Sequence, residues 1–111
     1  MSAITVAPEL ASLQQSYGLA LVALGKCDEA LAPFLKAACI DPLQAEAFYH
    51  LANALKDLGR FAEACVVYDR VLALEPDHAD AWSNQGDALQ IIELFEEAVA
   101  RYGKALSIRG D

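Results

Sequence analysis

Apolar residues recur along the chain at the spacing of an α-helix, in short segments separated by glycine or proline. The clearest segment has one apolar helical face, made by Phe48, Leu51, Ala52 and Leu55. Gly59 then interrupts it, at a place where glycine can adopt a left-handed backbone without a side-chain penalty. A second face follows, made by Phe61, Ala64, Cys65, Tyr68, Val71 and Leu72. Pro76 ends it, because proline lacks an amide proton and disfavours helix at the preceding residue. The pattern predicts two short helices, A and B, joined by a tight turn.

This two-helix unit occurs three times at a period near 34 residues, with copies that begin at Ala11, Ala45 and Ala79. Position 8 of each copy is small: Gly18, Ala52 and Gly86. Position 11 is leucine and position 20 is alanine: Leu21, Leu55, Leu89, Ala30, Ala64 and Ala98. Position 24 is aromatic: Phe34, Tyr68 and Tyr102. A fixed period of this length indicates a helical repeat array, in which neighbouring copies stabilise one another and about three copies are the lower limit for folding.

The alternation of large and small residues at these positions closely resembles the tetratricopeptide repeat, over residues 11 to 111. The resemblance implies an all-α fold, a solenoid in which antiparallel helix pairs stack into a right-handed superhelix. The expected organisation is a leader with the start of the first helix over residues 1–10, then repeats at 11–44, 45–78 and 79–111. No helix that would cap the last repeat is expected.

Helix limits in the first copy follow from its proline, glycine and aspartate residues. Residues 1–7 are expected to be a loose leader, with the first helix running from residue 8 or 9 to Leu24. Asp28 is the expected N-cap of the next helix, which ends near Ile40. Pro33 lies beyond the first turn of that helix, where we expect a kink or a missing backbone hydrogen bond on the outer face. In the second copy the helices should span 45–58 and 61–74, and Asp77 should cap the fifth helix.

The third copy departs from the pattern, since Glu93 stands at the position of the turn glycine. Gly103 lies inside the last helix and weakens it, and Gly110 replaces the terminal proline. Two outcomes are open. Either Glu93 adopts a strained left-handed conformation in an ordinary turn, or residues 80–108 fuse into one helix and produce a domain-swapped dimer. The ordinary turn is favoured, because it lets Ala98 and Tyr102 pack against Gly86.

The net charge of −8 and the pI of about 4.5 argue against nucleic acid and against an anionic membrane surface, and they favour basic partners. The first ten residues do not resemble a signal peptide, and no apolar run approaches the ~20 residues of a membrane span. The three cysteines form no motif and are expected to be reduced thiols. These features indicate a cytoplasmic protein or a piece of a larger one.

The sequence contains no catalytic, phosphate-binding or dinucleotide-binding motif, so we expect no enzyme activity and no cofactor. A metal site made by His50 with a carboxylate such as Asp87 is the least favoured alternative.

The resemblance implies a concave groove built by the A helices. In the first copy the groove residues are mostly small or apolar: Ser12, Gln15, Ser16, Leu19, Val22 and Ala23. In the other two copies they are mostly polar or acidic: Glu46, Tyr49, His50, Asn53, Lys56, Asp57, Asp80, Ser83, Asn84, Asp87, Gln90 and Ile91. Amide and ring side chains on adjacent helices suit contacts with a peptide. The expected ligand has basic side chains near the aspartates and an apolar end near Leu19.

Members of the family that hold the C-terminal carboxylates of chaperones use lysine, asparagine and arginine at defined groove positions. This chain has Gln15, Leu19, His50, Asp80 and Asn84 there. That subclass is therefore not expected.

The leading interpretation is a non-enzymatic protein-interaction module. The first alternative is a self-assembling scaffold, a homo-oligomer such as a dimer formed through the uncapped third repeat at Leu94, Leu106 and Ile108. The second is a substrate-presenting fragment of a larger enzyme, because the second copy resembles the arrays of O-linked N-acetylglucosamine transferases.

Overall fold

The computed structural model describes the backbone of residues 2–110 and the side chains of residues 9–110. All regular secondary structure in this part of the chain is helical. The six helices are α1 (Ser2–Ala23), α2 (Cys27–Ile40), α3 (Ala45–Asp57), α4 (Phe61–Leu74), α5 (Ala79–Ile91) and α6 (Phe95–Arg109). They confirm the predicted all-α fold.

The helices form three antiparallel pairs, α1 with α2, α3 with α4 and α5 with α6. The pairs stack because α2 packs on α3 and α4 packs on α5, while α3 also contacts α1 and α5. The resulting solenoid is elongated, with extents of 47 × 28 × 20 Å. No described helix combines the length and the apolar character needed to cross a bilayer.

Small residues at position 8 let an aromatic ring of the B helix approach the A helix. Phe34 and Tyr68 are fully buried. A Cβ added at Gly18 would lie 2.5 Å from the Phe34 ring, and one added at Gly86 would lie 2.9 Å from the Tyr102 ring. Side-chain bulk at these two glycines would therefore push the paired helices apart.

Two helix starts differ from the sequence-based expectation. α1 begins at Ser2 instead of residue 8 or 9, so residues 2–7 are helical and the loose leader was wrongly predicted for them. α2 has Lys26 as its N-cap, and Asp28 lies in the first turn, where its charge interacts favourably with the helix dipole.

The start of α5 and the interior of α2 also differ from expectation. His78 caps α5, because its Nδ1 accepts a hydrogen bond from the Ala81 amide at 3.1 Å; Asp77 is not the cap. Pro33 is buried inside α2 instead of lying on an outer face, and the helix continues through it. Its missing N–H nevertheless removes one intrahelical hydrogen bond, as predicted.

The turn of the third copy is the ordinary one. Gly25 and Gly59 have φ values of 78° and 80°, and Glu93 follows them with φ 66°. The Glu93 amide donates to the Gln90 carbonyl at 3.0 Å, as the Gly59 amide does to Lys56. A residue with a side chain in this conformation costs about 1–2 kcal/mol. The fused helix is therefore the wrong alternative, and packing of α6 on α5 holds Glu93 in its strained conformation.

Candidate binding groove

The structure places a small cavity of about 210 Å³ between α1 and α3. We call it the apolar pocket, and its lining is Leu19, Val22, Phe34, His50, Asn53, Ala54 and Asp57. It joins apolar groove residues of the first copy to polar groove residues of the second. Its apolar side is made by Leu19, Val22, Phe34 and Ala54, and its polar side by His50, Asn53 and the exposed Asp57.

A larger cavity of about 450 Å³ lies where α3 and α5 begin. We call it the acidic pocket, and its lining is Gln44, Ala45, Glu46, Tyr49, His50, Glu75, His78 and Asp80. His50 lines both cavities, which are therefore adjacent. The pocket contains the carboxylates of Glu46, Glu75 and Asp80 and the aromatic ring of Tyr49. Both kinds of group attract cations, so the pocket suits a positively charged side chain.

The far end of the groove holds Lys56, Asp87 and Gln90 around an open cavity of about 600 Å³, together with Ile91, Glu93 and Phe95. Lys56 Nζ lies 3.7 Å from Asp87 Oδ2. This ion pair neutralises one of the aspartates that were expected to attract a basic ligand. Asp80 likewise forms an ion pair with Arg109 of α6.

Tyrosine hydroxyls of the B helices donate hydrogen bonds to groove residues. Tyr68 donates to Asn53, and Tyr102 shares its one proton between Asp87 and, at 3.0 Å, Gln90. Burial raises the pKa of both hydroxyls, with Asp87 adding to the shift at Tyr102, so both stay protonated donors at neutral pH. Asn53 and Asp87 thus hold an A helix to its own B helix.

The copies themselves show this pairing. Position 9 is Leu19, Asn53 and Asp87, and position 24 is Phe34, Tyr68 and Tyr102. The hydroxyl is present where position 9 is polar and absent where it is leucine. That correlation is visible in the sequence, and it would have predicted these hydrogen bonds.

Asn84 joins the second copy to the third. Its Nδ2 donates to the Tyr49 hydroxyl at 3.0 Å and to Asn53 Oδ1 at 3.3 Å. The predicted groove set Tyr49, Asn53 and Asn84 is therefore brought together, but its polar groups are used within the protein. A peptide would compete with these bonds or bind beside them.

His50 lies in the middle of the groove. Its ring stacks on Phe34 with 5.5 Å between ring centroids, and its Nε2 lies 3.9 Å from Glu46. Burial lowers the pKa of His50 and outweighs the opposing effect of Glu46. The imidazole is therefore neutral at pH 7 and serves as a wall between the two pockets.

Sequence reasoning missed three side chains at these pockets. His78 was not predicted to line the groove, but its ring centroid lies 4.5 Å from that of Tyr49. Glu75 precedes the interrupting proline and lines the acidic pocket. Phe34 was identified only as the aromatic residue at position 24, but it also lines the apolar pocket. Gln15 was assigned to the groove but is buried.

The predicted self-association residues have different environments. Leu94 and Leu106 are exposed, whereas Ile108 is half-buried. Ala98 and Ala105, which share the last helix, are buried. Only part of the expected open face is therefore available.

The three cysteines are free thiols, and burial raises the pKa of Cys65, so that thiol is a weak nucleophile. Within the described residues no group of three His, Cys, Asp or Glu side chains is arranged to hold a metal. His50 and Asp87 line different cavities.

Among solved structures, the first TPR of Spaghetti (RPAP3), bound to the HSP90 peptide SRMEEVD, is 26% identical with a TM-score of 0.90; the match covers 94% of this chain and 82% of that one. YrrB, described as a TPR protein with an unusual peptide-binding site, is 29% identical with a TM-score of 0.87 and covers 91% of this chain. MamA is 23% identical with a TM-score of 0.87 over 90% of this chain, a likeness of fold alone. The present chain spans 52% of YrrB and 58% of MamA.

A comparison with curated protein sequences gave no match. Three family models, however, match successive parts of the chain. A "TPR repeat" model matches residues 18–59, and two "Tetratricopeptide repeat" models match residues 45–88 and 79–111. Together with the six helices and the positive-φ turns of each pair, they show that the chain belongs to the tetratricopeptide repeat family.

Proposed function

We propose that this chain binds a segment of a partner protein in the groove of α1, α3 and α5, with an apolar and a basic side chain in neighbouring pockets. The fold and the peptide-bound structural neighbour support a protein-interaction module, and tetratricopeptide repeat proteins are generally non-enzymatic modules of this kind. The observation that carries the proposal is the adjacency of the apolar and acidic pockets, which share His50.

The apolar pocket, with a volume of about 210 Å³, has room for an aliphatic side chain. Leu19 is exposed and Val22 is half-buried, so the pocket presents apolar surface to solvent. Burial of a leucine or valine side chain there contributes up to about 1.5–3 kcal/mol. This is the larger share of the binding free energy in the proposal.

The acidic pocket selects the neighbouring side chain. Glu46, Glu75 and Asp80 line it, and the Tyr49 ring offers a face to a cation. Glu46 and Asp80 are largely exposed, and Asp80 already pairs with Arg109. Each ion pair with a ligand therefore contributes at most about 1 kcal/mol and weakens with salt. The carboxylates of the acidic pocket therefore contribute more to the selection of basic over acidic ligands than to the affinity.

Acidic C-terminal peptides are poor candidates. RPAP3 is described with the HSP90 peptide SRMEEVD, which contains three carboxylate side chains. In this chain Glu46 and Glu75 of the acidic pocket would repel such a ligand, and neutral His50 supplies no positive charge. Lys56 and Arg109, the cations near the groove, already pair with Asp87 and Asp80.

The test is selection of peptides from a random phage-displayed library, followed by fluorescence anisotropy with the enriched peptide. A groove variant, Leu19→Asn with Asp57→Asn, changes two exposed residues of the apolar pocket. The matched control, Leu35→Asn with Asp28→Asn, makes the same changes at exposed positions on α2. Equal melting temperatures of the two variants would verify that folding is unaffected.

We expect enriched peptides with a basic residue near an aliphatic one, at least tenfold weaker binding in the groove variant, and unchanged binding in the control. The peptide SRMEEVD should bind at least tenfold more weakly than the enriched peptide. Equal loss of binding in groove and control variants would place the ligand elsewhere and overturn the proposal. Enrichment of acidic peptides would overturn its charge preference.

A further inference from the structure

The last helix exposes residues at positions that are covered inside the stack. Leu106 of α6 is 51% exposed, whereas Leu72, its equivalent one repeat earlier, is 8% exposed. Val99 is also exposed, and its equivalent Cys65 is half-buried. These are the positions through which a B helix meets the A helix of the following copy.

The first helix shows the complementary feature. Leu13 of α1 is 66% exposed, whereas its equivalent Ala47 is 1% exposed. Tyr17 is exposed, and its equivalent Gln85 is buried. In the second and third copies these positions face the B helix of the preceding copy.

A specific contact inside the chain defines how the two faces meet. Gln85 Nε2 of α5 donates to the Cys65 carbonyl at 3.0 Å and to Asp69 Oδ1 at 2.8 Å on α4. One repeat further on, Cys65 and Asp69 correspond to Val99 and Gly103. Gln85 stands at position 7 of its copy. In a second chain stacked on α6, position 7 of the first copy is Tyr17.

We propose that the chain associates head to tail with a second copy of itself, which continues the stack of helices. The tail surface is Val99, Gly103 and Leu106 on α6, and the head surface is Leu13 and Tyr17 on α1. Gly103 provides room opposite Tyr17, because a Cβ placed on it meets nothing within 4 Å. Leu106 meets Leu13, whose equivalents Leu72 and Ala81 both belong to one buried cluster inside the chain.

Head-to-tail association differs from a symmetric dimer in which α6 of one copy packs on α6 of the other. The two surfaces are different, so the contact is heterologous, and each added copy leaves one head and one tail free. The net charge of −8 on each copy opposes association. Salt screens that repulsion, so assembly should grow with both concentration and ionic strength.

The test is sedimentation velocity with two variants of exposed residues. The tail variant is Val99→Glu with Leu106→Glu, and the head variant is Leu13→Glu with Tyr17→Glu. The unaltered chain should exceed its 11.9 kDa monomer mass and grow past a dimer as concentration rises. Each variant alone should be monomeric, and an equimolar mixture should form dimers and stop there, because one intact head meets one intact tail.

Circular dichroism melting would verify that both variants fold. If the tail variant melts early, Gly103→Gln replaces it, since the open space at Gly103 accepts a side chain in the monomer. A head variant that still forms dimers would indicate tail-to-tail pairing and overturn the proposal. A monomer at all concentrations up to about 1 mM in physiological salt, or a mixture that stays monomeric, would also overturn it.

Discussion

Replacing Glu93 by glycine should stabilise the protein, although it removes a side chain. Glu93 holds φ 66°, where the equivalent Gly25 and Gly59 have 78° and 80°. Release of the left-handed strain gains about 1–2 kcal/mol. The greater freedom of glycine in the unfolded chain opposes this by about 0.5–1 kcal/mol. The net expected gain is about 0.5–1 kcal/mol.

For a domain of this size that gain corresponds to a rise of about 2–5 °C in melting temperature, measured by circular dichroism or calorimetry. The reciprocal control is Gly59→Ala. A Cβ at Gly59 meets nothing within 4 Å, so its expected loss of about 1 kcal/mol is conformational and not steric. A lower melting temperature for Glu93→Gly would show that Glu93 is not strained in a left-handed turn. Glycine would destabilise the chain if residue 93 were helical, as in a fused α5–α6 helix.

Three further changes test other parts of the structure. Leu55→Ala removes a buried leucine of the central core and should cost about 2–5 kcal/mol in chemical denaturation; a shift of under a degree in melting would contradict the assigned packing. Asn84→Ala removes the hydrogen bonds to Tyr49 and Asn53 and should cost about 1–3 kcal/mol, whereas an unchanged melting temperature would show that those bonds contribute nothing. Since burial lowers the pKa of His50, the unfolded chain takes up a proton first, and stability should fall as pH drops below about 6.5. His50→Gln should flatten that loss between pH 7.5 and 5.5, and an identical pH profile would exclude His50 as its source.

Repetition made the fold predictable. Three aligned copies locate the close approach at Gly18 and Gly86 and the turns at Gly25 and Gly59, and the structure agrees at each. α4 has the predicted limits, and α3 ends one residue early. The turn at Glu93 was also predicted, because tertiary contacts of α6 outweigh the local preference for helix.

The wrong predictions concern helix caps and Pro33, where the local sequence is compatible with more than one structure. Asp28 and Asp77 are good capping residues in sequence, but the helices start at neighbouring residues, and the His78 ring supplies one cap. Pro33 is tolerated in a buried helix interior because one lost hydrogen bond can be offset by packing. Sequence spacing alone does not distinguish these solutions.

The sequence predicted which positions line the groove. The structure separates the groove residues that hydrogen-bond neighbouring helices from those that are available to a ligand. Asn53, Asn84 and Asp87 hold helices together through tyrosine hydroxyls and an asparagine pair. Replacing all three by alanine would therefore lower stability as well as any binding. Leu19 and Asp57 carry no such contact and are the better probes of the groove.

The most direct test of the proposed function is NMR titration of the ¹⁵N-labelled protein with the selected basic and aliphatic peptide. We expect the largest amide shifts at the two pockets, at Leu19, His50, Asn53 and Asp57, and extending to Asp80, with small shifts along α2, α4 and α6. Shifts concentrated on the outer faces of α2, α4 or α6, with the pocket residues unmoved, would contradict it.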